Sequence, residues 1–216
     1  MARPMSAEVP PGFMRTRLIT VVLAAAFAVS LVTLASAWRL PGNNQGYEPV
    51  QPIAFSHKLH AGEMQISCVY CHVGAASSRY AGIPALNICM NCHEKVTSSL
   101  AEQQKAQPEE SKELRKLYDA LALDDVLAPV EGKTPKPIAW QRVHRLPDFV
   151  AFDHRAHITA AVPCQQCHGP VETMKRVRQF ETLAMGWCVN CHRDVNKTGV
   201  AGKPVHASID CVTCHY

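Results

Sequence analysis

The amino-acid sequence predicts a mainly α-helical chain with extensive loops, a duplicated module and one N-terminal transmembrane helix. Three observations predict it: an uncharged apolar run from Leu18 to Trp38, a Cys-x-x-Cys-His motif that occurs five times, and a Phe-x-His-x-x-His motif that occurs twice. The composition agrees. Hydrophobic residues make up 47% of the 216 residues and charged residues 19%, the balance of a folded chain rather than a disordered one. Aromatic residues are only 6%, thin for a core of this size, so something other than side chains is expected to fill the interior.

The first element is the apolar run. A helix over residues 18–38 rises about 31 Å at about 1.5 Å per residue, enough to cross a hydrocarbon layer of about 30 Å. Arg15 and Arg17 precede it, with Arg3 upstream, so the excess of positive charge keeps residues 1–17 in the cytoplasm and sends everything after the run outside. A cleaved export signal is the competing reading, because Ala35-Ser36-Ala37 fits an A-x-A cleavage site. The run is longer than the usual apolar stretch of a signal peptide, which favours a retained anchor. In either case the bulk of the chain is exported, and residues 39–53 form a linker.

Beyond the linker come Cys68-Val69-Tyr70-Cys71-His72, Cys89-Met90-Asn91-Cys92-His93, Cys164-Gln165-Gln166-Cys167-His168, Cys188-Val189-Asn190-Cys191-His192 and Cys211-Val212-Thr213-Cys214-His215. These use all ten cysteines. The pattern is that of c-type haem attachment, in which two thiols form thioethers with the haem vinyl groups and the next imidazole takes the iron from the proximal side. Zinc ribbons use Cys-x-x-Cys pairs without an obligatory histidine after the second cysteine. A disulfide framework has no reason to space every cysteine alike. Five haems c are the expected cofactors, with His72, His93, His168, His192 and His215 as proximal ligands.

Internal repetition organises the sites. Ala54-Phe55-Ser56-His57-Lys58-Leu59-His60 matches Ala151-Phe152-Asp153-His154-Arg155-Ala156-His157, and each is followed by a first site, at Cys68 and Cys164, and a second, ending Asn-Cys-His. The chain is thus expected to hold a first dihaem module at 54–100, a connector at 101–139, a second dihaem module at 140–195 and a fifth-haem segment at 196–216. Histidines three apart on a helix face similar directions and can serve two irons, so His57, His60, His154 and His157 are expected as distal ligands. His144 is the choice for the fifth. His206 reads as a surface residue, and Met185 is the alternative ligand, since a Met/His pair raises the potential.

Within the connector, residues 108–125 read as a helix with Leu114, Leu117, Tyr118 and Leu121 in an apolar stripe and Glu109 and Glu110 in its first turn. Pro129, Pro135 and Pro137 then suggest an extended segment. No stretch reads convincingly as a β-strand. The formal charge of +4 would be outweighed by the propionates of five haems, and no basic run is interleaved with aromatics, so no nucleic-acid partner is expected.

The paired motif resembles the class III, cytochrome c3-type multihaem cytochromes. The resemblance extends to the membrane-anchored pentahaem subunits of bacterial alternative complex III. It is carried by Phe55-Ser56-His57-Lys58-Leu59-His60-Ala61-Gly62, Ala81-Gly82-Ile83-Pro84, Arg142-Val143-His144-Arg145-Leu146-Pro147-Asp148-Phe149, Cys167-His168-Gly169-Pro170-Val171-Glu172 and Met185-Gly186-Trp187-Cys188. The resemblance implies a place in a respiratory relay, beside an iron–sulfur subunit and a polytopic quinol-oxidising subunit, with a monohaem cytochrome c or a terminal oxidase as acceptor. It also implies a bacterial cytoplasmic membrane location with the haem domain on the periplasmic side.

Electron transfer without bond chemistry is the expected function, with no catalytic residue, because histidines suffice to fill every axial position. A multihaem reductase would need an open iron or an altered motif. A membrane-anchored multihaem quinol dehydrogenase fits the anchor, but not the five sites with their paired motif. A structural scaffold stabilised by haem is the non-redox alternative.

Overall fold

The computed structural model describes residues 11–37, 44–106 and 109–216. The chain divides into two units, Met1–Pro41 and Gly42–Tyr216.

The first unit contains one long helix, α1 (Pro11–Ala37). It opens on a proline, whose missing N–H is not needed at a first helical position. Its segment Thr16–Leu34 is 19 residues long with a mean hydropathy of 2.2 and no buried part. Leu18, Val22, Phe27, Val29 and Leu34 are all exposed, so the helix is apolar all round. The hydroxyls that interrupt the run bond back to the helix: Thr20 Oγ1 donates to the Thr16 carbonyl and Ser30 Oγ to the Ala26 carbonyl, each at 2.9 Å. Such back-bonding leaves no side-chain donor to be satisfied by water. Length and composition suit a membrane anchor or an export signal alike. The helical backbone continues through Ala35-Ser36-Ala37 and also takes in residues 11–17 of the expected tail, while Trp38 and residues 1–10, Arg3 among them, lie outside the described residues.

The second unit is a set of short helices joined by long irregular stretches. In chain order these are α2 (Cys68–Cys71), α3 (Leu86–His93), α4 (Leu100–Gln103), α5 (Lys112–Ala120), α6 (His154–Thr159), α7 (Gln165–His168), α8 (Met185–Thr198) and α9 (Cys211–Cys214). A π-turn at Lys58–Glu63 and 3-10 turns at Val73–Ala75 and Val171–Thr173 complete it. Among the described residues no strand forms, only isolated bridges such as Val150 to His215.

The side-chain core is small. Among the described residues Leu117, Tyr118, Ala75, Ala122 and Met174 are its buried apolar members. Leu117 and Tyr118 come from the stripe expected over 108–125, but α5 is shorter than that span. It begins after Ser111 and ends before Ala122, whose positive φ of 58° breaks the helical path. Pro108 lies outside the described residues. Glu110, expected in the first turn, precedes α5 and grips Arg115 through two hydrogen bonds of 3.0 and 2.6 Å. The connector helix is therefore a packing element. Its buried Tyr118 hydroxyl donates to the His93 carbonyl at 2.7 Å, fixing α5 beside a Cys-x-x-Cys-His site.

The π-turn Lys58–Glu63 crosses the 3-10 turn Val171–Thr173 at close range. A Cβ on Gly62 would fall 2.2 Å from the Glu172 carbonyl oxygen, so only glycine allows this approach. Lys58 N donates to the Met174 carbonyl at 2.9 Å across the same crossing.

Candidate haem centres

Each Cys-x-x-Cys-His motif folds as about one helical turn. Cys68 and Cys71 bound α2, Cys89 to His93 close α3, Cys164 caps α7, Cys188 to His192 lie in α8, and Cys211 and Cys214 bound α9. A helical turn brings residues three apart to one side and carries the following histidine past them. All ten thiols are free of disulfides. Among the described residues no group of three or more His, Cys, Asp or Glu forms a cluster able to hold a bare metal ion.

The histidines, in contrast, meet in facing pairs. Ring centroids lie 6.5 Å apart for His57 and His72, 6.1 Å for His60 and His93, 6.3 Å for His154 and His168, and 6.1 Å for His157 and His192. Two metal–imidazole bonds of about 2.0 Å, each with about 1.1 Å from nitrogen to ring centre, place two axial rings about 6.2 Å apart. The first pair is parallel to within 1° and the third to within 9°. These pairs fit two-sided ligation of an iron between them.

Hydrogen bonding of the ring nitrogens points the same way. His72 Nδ1 bonds the Gly82 carbonyl at 2.8 Å, His93 Nδ1 the Val96 carbonyl at 2.7 Å, and His192 Nδ1 the Ser208 carbonyl at 2.5 Å. On the facing side, His60 Nδ1 bonds the Ser56 carbonyl, His157 Nδ1 the Asp153 carbonyl and His154 Nδ1 the Arg79 carbonyl, each at 2.9 Å. A carbonyl accepts, so Nδ1 carries the proton and Nε2 is left as the free lone pair. This is the arrangement of a metal-ligating histidine with an orienting partner. His57 Nδ1 is buried without a partner.

The two copies of Phe-x-His-x-x-His are built alike. Phe55 stacks on His60 at 4.3 Å and meets His57 edge-on at 4.9 Å. Phe152 repeats this with His157 at 4.7 Å and His154 at 4.8 Å. The aromatic of each motif thus buttresses both imidazoles, a role that motif matching alone had not assigned to it. Its signal was the invariant offset between aromatic and histidines in the two copies.

Burial favours the neutral form of His57 and His168. His57 is lowered to about 4, first by burial and then by His72, His60 and His168 nearby. His168 is also lowered to about 4, by burial and then by His154 and His72. A neutral imidazole is the form that binds iron. Burial also raises the Cys167 thiol to about 11, helped by Cys191 and Cys188.

The remaining histidines sit otherwise. His144, expected as the fifth distal ligand, lies behind His168: its Nε2 is 3.2 Å from His168 Nδ1, with the rings edge-to-face at 4.3 Å. Burial, then His168 and His154, lower its pKa to about 3. The ring that meets His215 is Phe149, at 5.7 Å. The backbone of residues 148–151 does reach this site: Ala151 N donates to the Cys214 carbonyl at 2.8 Å, and the Tyr216 hydroxyl bonds the Asp148 carbonyl. His206 is exposed, as is Met185 at the start of α8.

Residues 150–216, which hold the second paired-histidine motif and the last three Cys-x-x-Cys-His motifs, match the family model described as cytochrome c7 and related cytochrome c. The chain is also similar to the multiheme cytochrome c subunit of the menaquinone reductase of Nitratidesulfovibrio vulgaris. The two are 26% identical over 89% of this chain and 90% of that protein.

Proposed function

We propose that this multihaem cytochrome c carries five haems c and serves as the electron-relay subunit of a membrane-bound, quinone-linked oxidoreductase complex. The observation that carries the reading is the set of four imidazole pairs spaced for axial ligation, each beside a covalent attachment motif. Cys68 and Cys71, Cys89 and Cys92, Cys164 and Cys167, Cys188 and Cys191, and Cys211 and Cys214 hold the haems. His72, His93, His168, His192 and His215 are the proximal ligands. His57, His60, His154 and His157 are the distal ligands of the first four sites in the pairing given above. Two dihaem modules and an appended fifth site follow from this assignment.

His144 has two readings. Residues 148–151 bring its segment to the fifth site, which supports it as the fifth distal ligand. Its hydrogen bond to His168 supports a role as a positioning residue that accepts the Nδ1 proton and makes His168 a stronger donor.

Each haem supplies an iron that takes up and releases one electron at a time. The protein's residues bind it, orient the axial rings and close the axial positions with nitrogen. At the four paired sites the closed axial positions leave no room for a substrate, which supports electron transfer over multihaem reductase chemistry and a chain without a catalytic residue of its own. α1 acts as a retained anchor with the haem unit on the periplasmic side. The partners are an iron–sulfur subunit and a polytopic quinone-reactive subunit, as the resemblance to alternative complex III implies, with a monohaem cytochrome c or terminal oxidase beyond.

The direction of flow has a second reading. The relative is named a menaquinone reductase, which supports electrons moving toward quinone rather than away from it. The complex purified through this chain decides it. Haem reduction on adding menaquinol, with five haems per chain, supports the quinol-oxidising reading. Haems oxidised by menaquinone but not reduced by menaquinol support the reductase reading. Haems inert toward both would sink the quinone link.

A further inference from the structure

We infer that the five sites stand in single file in an order that differs from their order in the chain: the site of His93, then those of His72, His168, His192 and His215. The inference rests on the assignment of the sites above and adds their succession, with the His93 and His215 sites as the two points of electron entry and exit.

Each link in the file is carried by contacts between neighbouring motifs. The His93 and His72 sites are joined because their facing rings, His60 and His57, project from one chain turn, with Phe55 against both. Asn91 Nδ2 in the second motif donates to the Tyr70 hydroxyl in the first at 2.9 Å.

The link from the His72 site to the His168 site crosses between the two copies of the paired motif. His154, which faces His168, is held by the Arg79 carbonyl through its ring at 2.9 Å and through its backbone N–H at 3.3 Å. Arg79 follows the first attachment motif, so a loop of one module positions a ring of the other. The Gly62–Glu172 crossing and the Lys58 to Met174 hydrogen bond clamp the same junction. Burial raises the Cys164 thiol, and Cys68 of the first attachment motif adds to it.

Beyond the junction the first pattern recurs. His154 and His157 project from α6 toward the His168 and His192 sites, with Phe152 against both. The last link runs through Ser208. Its carbonyl accepts from His192 Nδ1 at 2.5 Å, and its hydroxyl bonds Thr213 Oγ1, inside the fifth motif, at 3.0 Å. Burial raises the Cys188 thiol, and Cys214 of the fifth motif adds to it.

Chain order would run from the His93 site straight to the second module. The junction contacts instead belong to the first site of each module, so the N-terminal pair enters the file reversed. The reversal puts the His93 site, walled by α5 through Tyr118, at one end.

Iron positions located by anomalous scattering in the haem-loaded, full-length chain test the order, each iron identified by the cysteines that hold its haem. The expected result places the iron held at Cys68 and Cys71 between those at Cys89 and Cys164, and the iron at Cys188 between those at Cys164 and Cys211. An iron at Cys89 lying nearer to the second-module irons than the Cys68 iron does would overturn the order. Fewer than five irons would count against the five-haem reading, while the succession among those present would still decide the order.

Discussion

The imidazole of His154 is held by the carbonyl of Arg79 at 2.9 Å, although the two residues lie in different copies of the repeated module. The loop after the first Cys-x-x-Cys-His motif thus supplies the acceptor that orients a ring of the second paired-histidine motif. This dependence separates local effects, such as loss of one ring, from effects on the junction, and the predictions below use that separation.

Replacement of His57 by alanine should leave every haem attached but open one axial position. We expect one additional high-spin, CO-reactive site per chain relative to the unsubstituted protein, with the pyridine haemochrome count unchanged. His206→Ala should leave the spectrum as it is, since His206 stands exposed. A His57→Ala chain that stays wholly low-spin would falsify the assignment of that ring.

His144→Ala separates its two readings. As a positioning residue, His144 makes His168 more basic and favours the ferric state, so its loss should raise one haem potential. A hydrogen bond worth about 1 kcal/mol corresponds to a rise of a few tens of mV. No new high-spin site would appear, and His144→Gln, which keeps an acceptor, should restore much of the shift. Appearance of a high-spin site would instead assign His144 to the fifth iron.

Phe55→Ala and Phe152→Ala remove rings that touch two histidines each. Aromatic contacts of this kind are worth about 0.5–1.5 kcal/mol per pair. The expected outcome is a lower thermal midpoint together with broadened low-spin EPR lines, as the imidazole planes lose their fixed orientation. An unchanged line shape would show that the carbonyl hydrogen bonds alone orient the rings.

At the junction, Gly62→Ala forces a Cβ to 2.2 Å from a backbone oxygen. Overpacking of a close contact costs about 1–3 kcal/mol. Thermal unfolding should move down accordingly. The separation between the Cys68 and Cys164 sites should increase while that between Cys164 and Cys188 does not. Equal changes at both would mean that Gly62 acts on stability in general rather than on the junction.

Retention of α1 as an anchor predicts that membranes washed at high salt keep the protein and that detergent releases it. Recovery of a soluble chain beginning near Trp38 would identify Ala35-Ser36-Ala37 as a cleavage site.

Much of the local structure was legible in the residues. A motif whose members lie within one turn forms that turn wherever it stands, so the five Cys-x-x-Cys-His segments could be placed by spacing alone. The apolar run and the stripe containing Leu117 and Tyr118 were legible for the same reason, as periodic patterns. The pairing of rings across space was only half legible: repetition suggested which histidines face irons, but nothing in the spacing ties His154 to Arg79, 75 residues away. His144 shows the limit most clearly. Counting ligands directs it to the fifth site, whereas its placement against His168 depends on how residues 140–150 cross the second module, which no short-range pattern encodes.

The nearness of the Cys68 and Cys164 thiols bears on how the protein is made. Before thioethers form, neighbouring free thiols are open to disulfide formation in an oxidising compartment. Such a bond would disable an attachment motif in each module at once, at the point where the two modules meet. Attachment of the haems before the junction closes would keep these two thiols from meeting while both are free.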